Sequence, residues 1–204
     1  MSVAGLWLAF QRWVRWRLKR RYFGRTVAMR ATPESRQGLK DLIEWWGDVR
    51  GLTMVEIGSY QGESAQMFLE SRKVARLYCV DPWQMEYDRN DVASFTDMAR
   101  IERVFDSRFS GEGRIVKVKG TIDDLVARLA SSPDRIDVVY VDGCHTYDAV
   151  KYDLTVTMSR IKPRLFVCGH DYTDMWEGSK RAVTEVVGVP DAVFGDTSWG
   201  KRLA

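Results

Sequence analysis

The sequence predicts an α/β domain built on a doubly wound, mostly parallel sheet of seven strands, with helices on both faces. Three observations carry this prediction. Short apolar runs alternate with helical patterns along most of the 204-residue chain, and such alternation favours right-handed parallel βαβ units. A glycine turn links the first apolar run to the helix after it. Near residue 204, two short runs follow each other without an intervening helix, which predicts a final strand pair.

The predicted elements follow a regular order. Thr32 can cap the first helix, and Pro33 suits its first turn. The strands are LTMVEIG, RLYCVD, GRIVKVKG, IDVVYVDG, RLFVCGHDY and the closing pair DAVFGDT and WGKRLA. The helices between them are ESAQMFLESRKV, SFTDMARIERVFDSRF, IDDLVARLASS, YDAVKYDLTVTMSRI and GSKRAVTEVVG. Doubly wound sheets bind ligands at the carboxyl ends of their strands, so residues that directly follow a strand are the candidate site.

The composition is ordinary for a soluble globular protein, with 45% hydrophobic and 29% charged residues. The length favours one domain with its own core. Three cysteines, Cys79, Cys144 and Cys168, form neither a disulfide framework nor a CxxC metal pattern, which favours a reducing, cytoplasmic setting. No apolar run approaches the roughly 18 residues that a membrane-spanning helix needs.

The charge is concentrated in a basic amphipathic segment, residues 1–30, which precedes the domain predicted for residues 31–204. Residues 1–33 hold eight Lys and Arg residues and no acid, which leaves 23 basic and 28 acidic residues in the rest of the chain. Apolar side chains recur in the segment at helical spacing: Leu6, Phe10, Trp13, Val14 and Leu18.

Several interpretations of residues 1–30 are open. The first is a helix docked on its own domain or on a partner subunit. The second is an interfacial helix on an anionic membrane, which would make the protein peripheral at the membrane surface. A nucleic-acid-binding arm is least favoured, because the rest of the chain is acidic. An organellar transit peptide has the same Arg-rich, acid-free composition.

The glycine turn lies in VEIGSYQGES, residues 55–64. Gly58 allows a tight turn, and Gly62 lets the following helix pack closely. A dinucleotide fingerprint would need another glycine where Tyr60 stands, so the turn favours a carboxylate-bearing ligand over NAD. Asp81 follows Glu56 by 25 residues, close to the spacing at which an acid holds ribose hydroxyls.

The two histidines of the chain, His145 and His170, each follow a strand end and stand near an aspartate, Asp142 and Asp171 respectively. Because the carboxyl ends of parallel strands share one edge of a sheet, we expect these four side chains to converge. The alternatives are structural: His145 would be a turn residue before a helix, and His170 an edge residue hydrogen-bonded to backbone.

Four segments carry a resemblance to a known family: VEIGSYQGESA, LYCVDPW, IDVVYVDGCHTYDAVKYDL and GHDY. With them, residues 35–204 resemble the class I S-adenosylmethionine-dependent methyltransferases. They are most similar to the small-molecule group that includes macrolide-sugar O-methyltransferases and cephalosporin hydroxylase-like proteins. The resemblance implies a Rossmann-like methyltransferase sheet and methyl transfer to a hydroxyl of a small molecule or sugar.

The resemblance also implies roles for individual residues. The methionine portion of the cofactor, S-adenosylmethionine, would be held by Glu56, Gly58, Ser59, Tyr60 and Gly62. Asp81 would hold its ribose, and Thr121 would lie near its adenine.

A divalent metal is implied in the same way. Metal-using members of the family bind magnesium through positions that correspond to Asp142, His170 and Asp171. The family usually has a carboxylate where His170 stands. Because magnesium prefers oxygen ligands, an imidazole there shifts the preference towards manganese, iron or zinc.

His145 is the predicted catalytic base. An alcohol must lose its proton as its oxygen attacks the methyl group, and a histidine with a pKa near the ordinary value of about 6.5 can accept it. A bound divalent ion would also lower the pKa of the hydroxyl. Aromatic residues that follow strand ends either wall an acceptor pocket or pack in loops; these are Trp83, Tyr87, Tyr172 and Trp176.

Rival functions remain open at this point. An RNA methyltransferase would use the basic segment as its binding arm. An iron oxygenase would use His145, His170 and a carboxylate as a facial triad, but it leaves the ribose-type acid unexplained. A catalytically inactive protein that docks on a membrane or partner could keep the same fold. Self-association of the chain is also left open.

Overall fold

A computed structural model describes residues 28–30, 32–88, 91 and 93–203 of the chain. Nearly all of the basic segment, and with it the prediction of an amphipathic helix there, lies outside the described residues. Within the described residues, no helix combines the length and the apolar character needed to cross a bilayer. The three cysteines are unpaired.

The described residues form one seven-stranded sheet. Its strands are β1 (Leu52–Ile57), β2 (Val74–Asp81), β3 (Ile115–Lys119), β4 (Val138–Val141), β5 (Phe166–Gly169), β6 (Ala192–Val193) and β7 (Trp199–Arg202). They lie in the order β3-β2-β1-β4-β5-β7-β6. The first five strands are parallel, and β7 runs antiparallel to both β5 and β6. The predicted doubly wound, mostly parallel sheet and its closing strand pair are confirmed.

Helices cover both faces of this sheet. They are α1 (Pro33–Trp45), α2 (Glu63–Glu70), α3 (Met98–Arg108), α4 (Ile122–Leu129), α5 (Tyr147–Val156) and α6 (Glu177–Val187). Successive residues of a strand point to opposite faces. Met54 therefore packs with apolar residues of α1, α2 and α3, whereas Val55 packs with those of α4, α5 and α6. Burial on both faces explains why the strands read as continuous apolar runs.

Local signals account for most helix boundaries. Thr32 caps α1 as predicted, and its side chain accepts a hydrogen bond from the Ser35 N–H at 3.2 Å. α3 begins later than predicted because Asp97 caps it, after a separate 3-10 turn at Ala93–Phe95. The helical stretch that starts at Tyr147 loses α geometry after Val156 and continues as a π-helical turn, Thr157–Ile161.

The register of the sheet places the candidate residues side by side. Ile57 pairs with Val80 of β2 and with Val141 of β4. The next residue of each strand is Gly58, Asp81 or Asp142, so these three lie together at the carboxyl edge. The chain moves outward from β1 to β3 and then returns to β4, which makes the β1–β4 boundary the topological switch point where such folds bind ligands.

Candidate active site

A cavity of about 530 Å³ opens at this edge of the sheet. Residues that follow each of the five parallel strands line it. The predicted site residues in its wall are Gly58, Ser59, Tyr60, Asp81, Thr121, Asp142, His145, His170 and Asp171. The structure thus brings together residues that are up to 113 positions apart in the sequence.

Gly58 is held where only glycine fits. Its φ is +88°, and a Cβ atom added there would lie 2.0 Å from the carbonyl oxygen of Asp142. The loops after β1 and β4 therefore touch through backbone atoms alone. This contact is the floor of the cavity at the switch point.

Asp81 fastens the glycine turn to β2. Its Oδ2 accepts a hydrogen bond from the Tyr60 N–H at 2.8 Å, and its Oδ1 accepts one from the Trp83 N–H at 2.6 Å. The indole N–H of Trp83 donates back to the Tyr60 carbonyl at 2.8 Å. A carboxylate has about four lone-pair sites, so Asp81 keeps acceptor capacity for ligand hydroxyls. Burial raises the pKa of Asp81, and these backbone hydrogen bonds partly offset the rise.

Two residues assigned to the cofactor by the resemblance do not line the cavity. Glu56 is fully buried within β1, and burial raises its pKa to about 7. Gly62 lies against an aromatic ring: an added Cβ would be 2.3 Å from Cε2 of Phe109. In this arrangement both residues lie behind the turn that lines the cavity, and their role towards the methionine portion stays a prediction.

The opposite wall is built from ionisable side chains, which converge as expected. His145 Nε2 lies 2.9 Å from Asp171 Oδ2, and His170 Nδ1 lies 3.1 Å from Asp171 Oδ1. Asp142 Oδ1 lies 3.9 Å from His145 Nε2 and 3.8 Å from His170 Nδ1.

On the other side of its ring, His145 Nδ1 lies 3.9 Å from both Asp88 Oδ2 and Asp91 Oδ2. His170 Nε2 lies 4.0 Å from Asp196 Oδ2. Each imidazole is therefore surrounded by more than two carboxylates.

These carboxylates change the protonation of the histidines. Burial disfavours a charged imidazole, but Asp142 and Asp171 outweigh it and raise the pKa of His145 to about 11. The pKa of His170 is raised for the same reason. Burial alone would raise the pKa of Asp171, but the two imidazoles lower it below its ordinary value. The expectation of an ordinary pKa near 6.5 for His145 is wrong in this arrangement, because the sequence does not show which acids surround the ring.

The donor set fits a divalent metal ion. Asp142, His170 and Asp171 each offer one ligand atom, and these atoms lie within 4.8 Å of one another. One ion with ligand distances of about 2.0–2.4 Å can span such a set. Two carboxylate oxygens and one imidazole nitrogen suit manganese, iron or zinc better than magnesium.

Arg30 is a site residue that the sequence did not reveal. Its Nη1 donates to Asp196 Oδ2 and to the Ser35 carbonyl, each at 2.7 Å, and its Nη2 donates to the Tyr140 hydroxyl at 3.0 Å. Nη2 also lies 3.6 Å from Asp142 Oδ2. The side chain is only 7% exposed. Arg30 was assigned to the basic segment, yet its charge is buried within the domain.

Glu63 ties the backbone around Arg30 to the start of α2. Its Oε2 accepts hydrogen bonds from the N–H groups of Met29 and Arg30, at 2.7 and 3.3 Å. Both residues line the cavity. The domain therefore includes residues before the predicted boundary at 31.

The predicted aromatic wall is formed in part. The Trp176 ring lies 4.7 Å from the His145 ring, and Tyr87 also lines the cavity. Trp83 and Tyr172 instead pack with the two hydrophobic cores. Loop packing is therefore the correct interpretation for that pair.

Asp153 is a second cavity residue that the sequence analysis missed. A signal for it was present: Val150, Asp153 and Leu154 share one face of α5 at helical spacing. A carboxylate on an otherwise apolar face points to a buried or cavity-facing acid. Burial, with a smaller contribution from Asp123, raises its pKa to about 7.

The fold defines the class of the protein. It is similar to a TDP-rhamnose 3'-O-methyltransferase of calicheamicin biosynthesis, with 18% identity, a TM-score of 0.54, and coverage of 82% of this chain and 78% of that chain. It is also similar to a SAM-dependent methyltransferase from Aquifex aeolicus, with 12% identity and a TM-score of 0.51. The match covers 84% of this chain and 92% of that chain. This is the fold of class I S-adenosylmethionine-dependent methyltransferases.

The family follows from the sequence. A family model described as a methyltransferase domain matches residues 55–172, which is more than half of the chain. The chain therefore belongs to this family of enzymes. A curated relative, an uncharacterized protein of Acanthamoeba polyphaga mimivirus, is 23% identical over 128 residues, which are 60% of this chain. The chain spans about half the length of that relative, 52%.

Proposed function

We propose that this protein transfers the methyl group of S-adenosylmethionine to a hydroxyl of a small molecule or sugar, with a divalent metal bound beside the acceptor. One observation carries the proposal. A single cavity has a glycine turn and a ribose-type acid in one wall, and two histidines with two aspartates in the other. The first wall suits a nucleoside, and the second suits the activation of a hydroxyl.

The cofactor would lie against the first wall. Gly58, Ser59 and Tyr60 form the turn beside its methionine portion, and Asp81 has lone pairs to accept hydrogen bonds from ribose hydroxyls. Thr121 lies after β3, on the side where the adenine would follow. The cavity's many carboxylates also suit a ligand that carries a positive sulfonium.

The acceptor would lie against the second wall. A divalent ion held by Asp142, His170 and Asp171 would supply Lewis-acid activation, which lowers the pKa of a hydroxyl. Nε2 of His145 would accept the proton that the hydroxyl loses as its oxygen takes the methyl group from sulfur, and S-adenosylhomocysteine would be the leaving product. His145 accepts this proton only in its neutral form, so the proton it carries in the present arrangement must first be released. The Trp176 ring packs beside this imidazole, with 4.7 Å between the ring centroids.

Cofactor binding is tested by calorimetric titration with S-adenosylhomocysteine. We expect binding in the micromolar range, weakened tenfold or more by Asp81→Ala, because a charged hydrogen-bond acceptor is lost. Asp148→Ala, an exposed acid of α5, is the matched control and should bind like the wild type. No binding by the wild type at high micromolar ligand would refute the cofactor assignment.

The reaction is tested by transfer of labelled methyl groups to a panel of acceptors, with and without chelator. We expect transfer to hydroxyl acceptors and none to their deoxy analogues. Activity should return after chelation more fully with Mn²⁺ than with Mg²⁺, and Asp142→Asn should abolish that response. Transfer to RNA instead, lost on deletion of residues 1–25, would favour an RNA methyltransferase.

A further inference from the structure

Asp153 lies at the adenine end of the cavity that we assign to the cofactor. Its Oδ2 is 3.8 Å from the position that a Cβ of Gly143 would occupy, in the loop after β4. On its other side it is close enough to Asp123, in the first turn of α4, for that charge to affect it. α4 starts directly after Thr121, so Asp153 stands between the loops that follow β3 and β4.

Part of the wall at this end of the cavity is apolar, which suits the faces of a base. Pro82, Ile122 and Ala149 contribute apolar surface to it. The covalent structure of the cofactor determines how it must lie in the cavity, because the sulfonium is attached to one side of the ribose and the base to the other. With the methionine portion at the Gly58 turn and the ribose at Asp81, the base extends away from the turn, towards the loops after β3 and β4.

The Asp153 carboxylate has no hydrogen-bond donor among the residues that the structure describes, although it is half-buried. This contrasts with Asp81, whose two oxygens each accept a backbone N–H. A buried acceptor without a donor costs free energy, which a ligand donor can recover. A ligand in the cavity that donates a hydrogen bond to this carboxylate would therefore gain binding free energy.

Gly143 keeps this carboxylate open to the cavity. A Cβ at Gly143 would meet Ile57 Cγ2 at 3.6 Å and Asp153 Oδ2 at 3.8 Å, both ordinary contact distances. Neither close packing nor a left-handed backbone requires glycine here, in contrast to Gly58. A side chain at position 143 would begin in contact with the Asp153 carboxylate, whereas glycine leaves that side of the carboxylate uncovered by residue 143.

From this geometry we infer that Asp153 accepts a hydrogen bond from the exocyclic amino group of the cofactor's adenine, and so selects a 6-amino over a 6-oxo purine. The inference rests on the proposed function. It assigns base recognition to a carboxylate on α5, beyond the loop residue Thr121. A 6-oxo base would place an oxygen against the carboxylate, leaving the acceptor unsatisfied and repelled.

The test compares two ligands by calorimetry at about pH 8.5, where a carboxyl with a pKa of about 7 is ionised. The ligands are S-adenosylhomocysteine and S-inosylhomocysteine, which has an oxo group in place of the amino group. We expect the wild type to bind the adenosyl ligand about tenfold to a hundredfold more tightly, the range expected for a hydrogen bond to a charged group. Asp153→Ala should weaken the adenosyl ligand by a similar factor and abolish the preference. Asp153→Asn, which keeps an acceptor oxygen, should retain part of it. Asp148→Ala, on the same helix, should behave as the wild type.

Three results would overturn the inference: a wild type without preference, Asp153→Ala with the preference intact, or equal weakening of both ligands by Asp153→Ala, which would mark a structural role. If Asp153→Ala does not fold, as judged by circular dichroism, the preference of Asp153→Asn decides the question: an unchanged preference refutes the inference. A wild type that binds neither ligand would instead refute the proposed function, and this inference with it.

Discussion

The two walls of the cavity are held in place by different forces. At the Gly58–Asp81 wall, backbone N–H groups bind both oxygens of Asp81, and a backbone-to-backbone contact joins Gly58 to Asp142. At the Asp142–Asp171 wall, side-chain charges hold one another, and the buried guanidinium of Arg30 supports them from the side.

This difference separates binding from chemistry. Backbone amides do not titrate in the ordinary pH range, so the titrating groups of the first wall are few: the Asp81 carboxylate and Glu56 behind it. The second wall depends on the balance among carboxylates, imidazoles and any bound cation, because each changes the pKa of the others. A methyltransferase binds the same nucleoside in every reaction and must also accept a proton. The first wall suits the binding, and the second suits the proton transfer.

Removing the buried guanidinium of Arg30 should destabilise the Asp142–Asp171 wall, and we expect this change to have the largest effect on stability. Arg30→Ala removes the guanidinium that is hydrogen-bonded to Asp196, which is 2% exposed, and takes one cation away from Asp142. We expect the free energy of unfolding to fall by about 3–5 kcal/mol, the usual cost of breaking a buried ion pair from one side. Urea unfolding measures it. Arg76→Ala removes the exposed partner of Asp134 and should change stability little; equal losses would show that Arg30 is not specially placed.

Adding a side chain at the close contact between Gly58 and the Asp142 backbone should destabilise the wall that Gly58 and Asp81 form. In Gly58→Ala the left-handed backbone costs about 1–2 kcal/mol, and overpacking against Asp142 costs about 1–3 kcal/mol more. We also expect binding of S-adenosylhomocysteine to be lost. The control is Gly111→Ala, which has a similar φ of +80° but open space around it, so it carries the strain alone. A Gly58→Ala variant no less stable than the control would contradict the tight contact.

Glu56 tests whether the first wall is free of pH dependence. Burial raises its pKa from 4.5 to about 7, so the folded state binds this proton more tightly than the unfolded state does. Its contribution to stability is complete below about pH 4.5 and is lost as the pH rises through 7, by about 3 kcal/mol in all. Glu56→Gln stays neutral and should lose less stability between pH 5 and pH 8.

The measurement for Glu56 is urea unfolding of wild type and variant at pH 5, 6.5 and 8. Glu44→Gln, at an exposed position of α1, is the control and should follow the wild type. If the difference between Glu56→Gln and wild type is the same at all three pH values, Glu56 does not carry the pH dependence.

The linear pattern of residues was enough to place most of the site. Alternating periods of two and 3.6 residues define the order of strands and helices, and parallel strands bring their carboxyl ends to one edge. Gly58, Asp81, Asp142, His145, His170 and Asp171 could be named because each lies at the end of a strand or within a few residues after it. The capped start of α1 at Thr32 was equally local.

Other properties came from contacts between distant segments. Arg30 and Asp196 are 166 residues apart in the chain, so no local pattern predicts their ion pair. The pKa of His145 depends on Asp171 from another loop, and the Asp153 carboxylate lies beside Gly143 of the loop after β4. Electrostatic and steric effects act over a few ångströms in space, whatever the separation along the chain. Periodicity therefore locates the site, while protonation, burial and recognition arise only when the chain is folded.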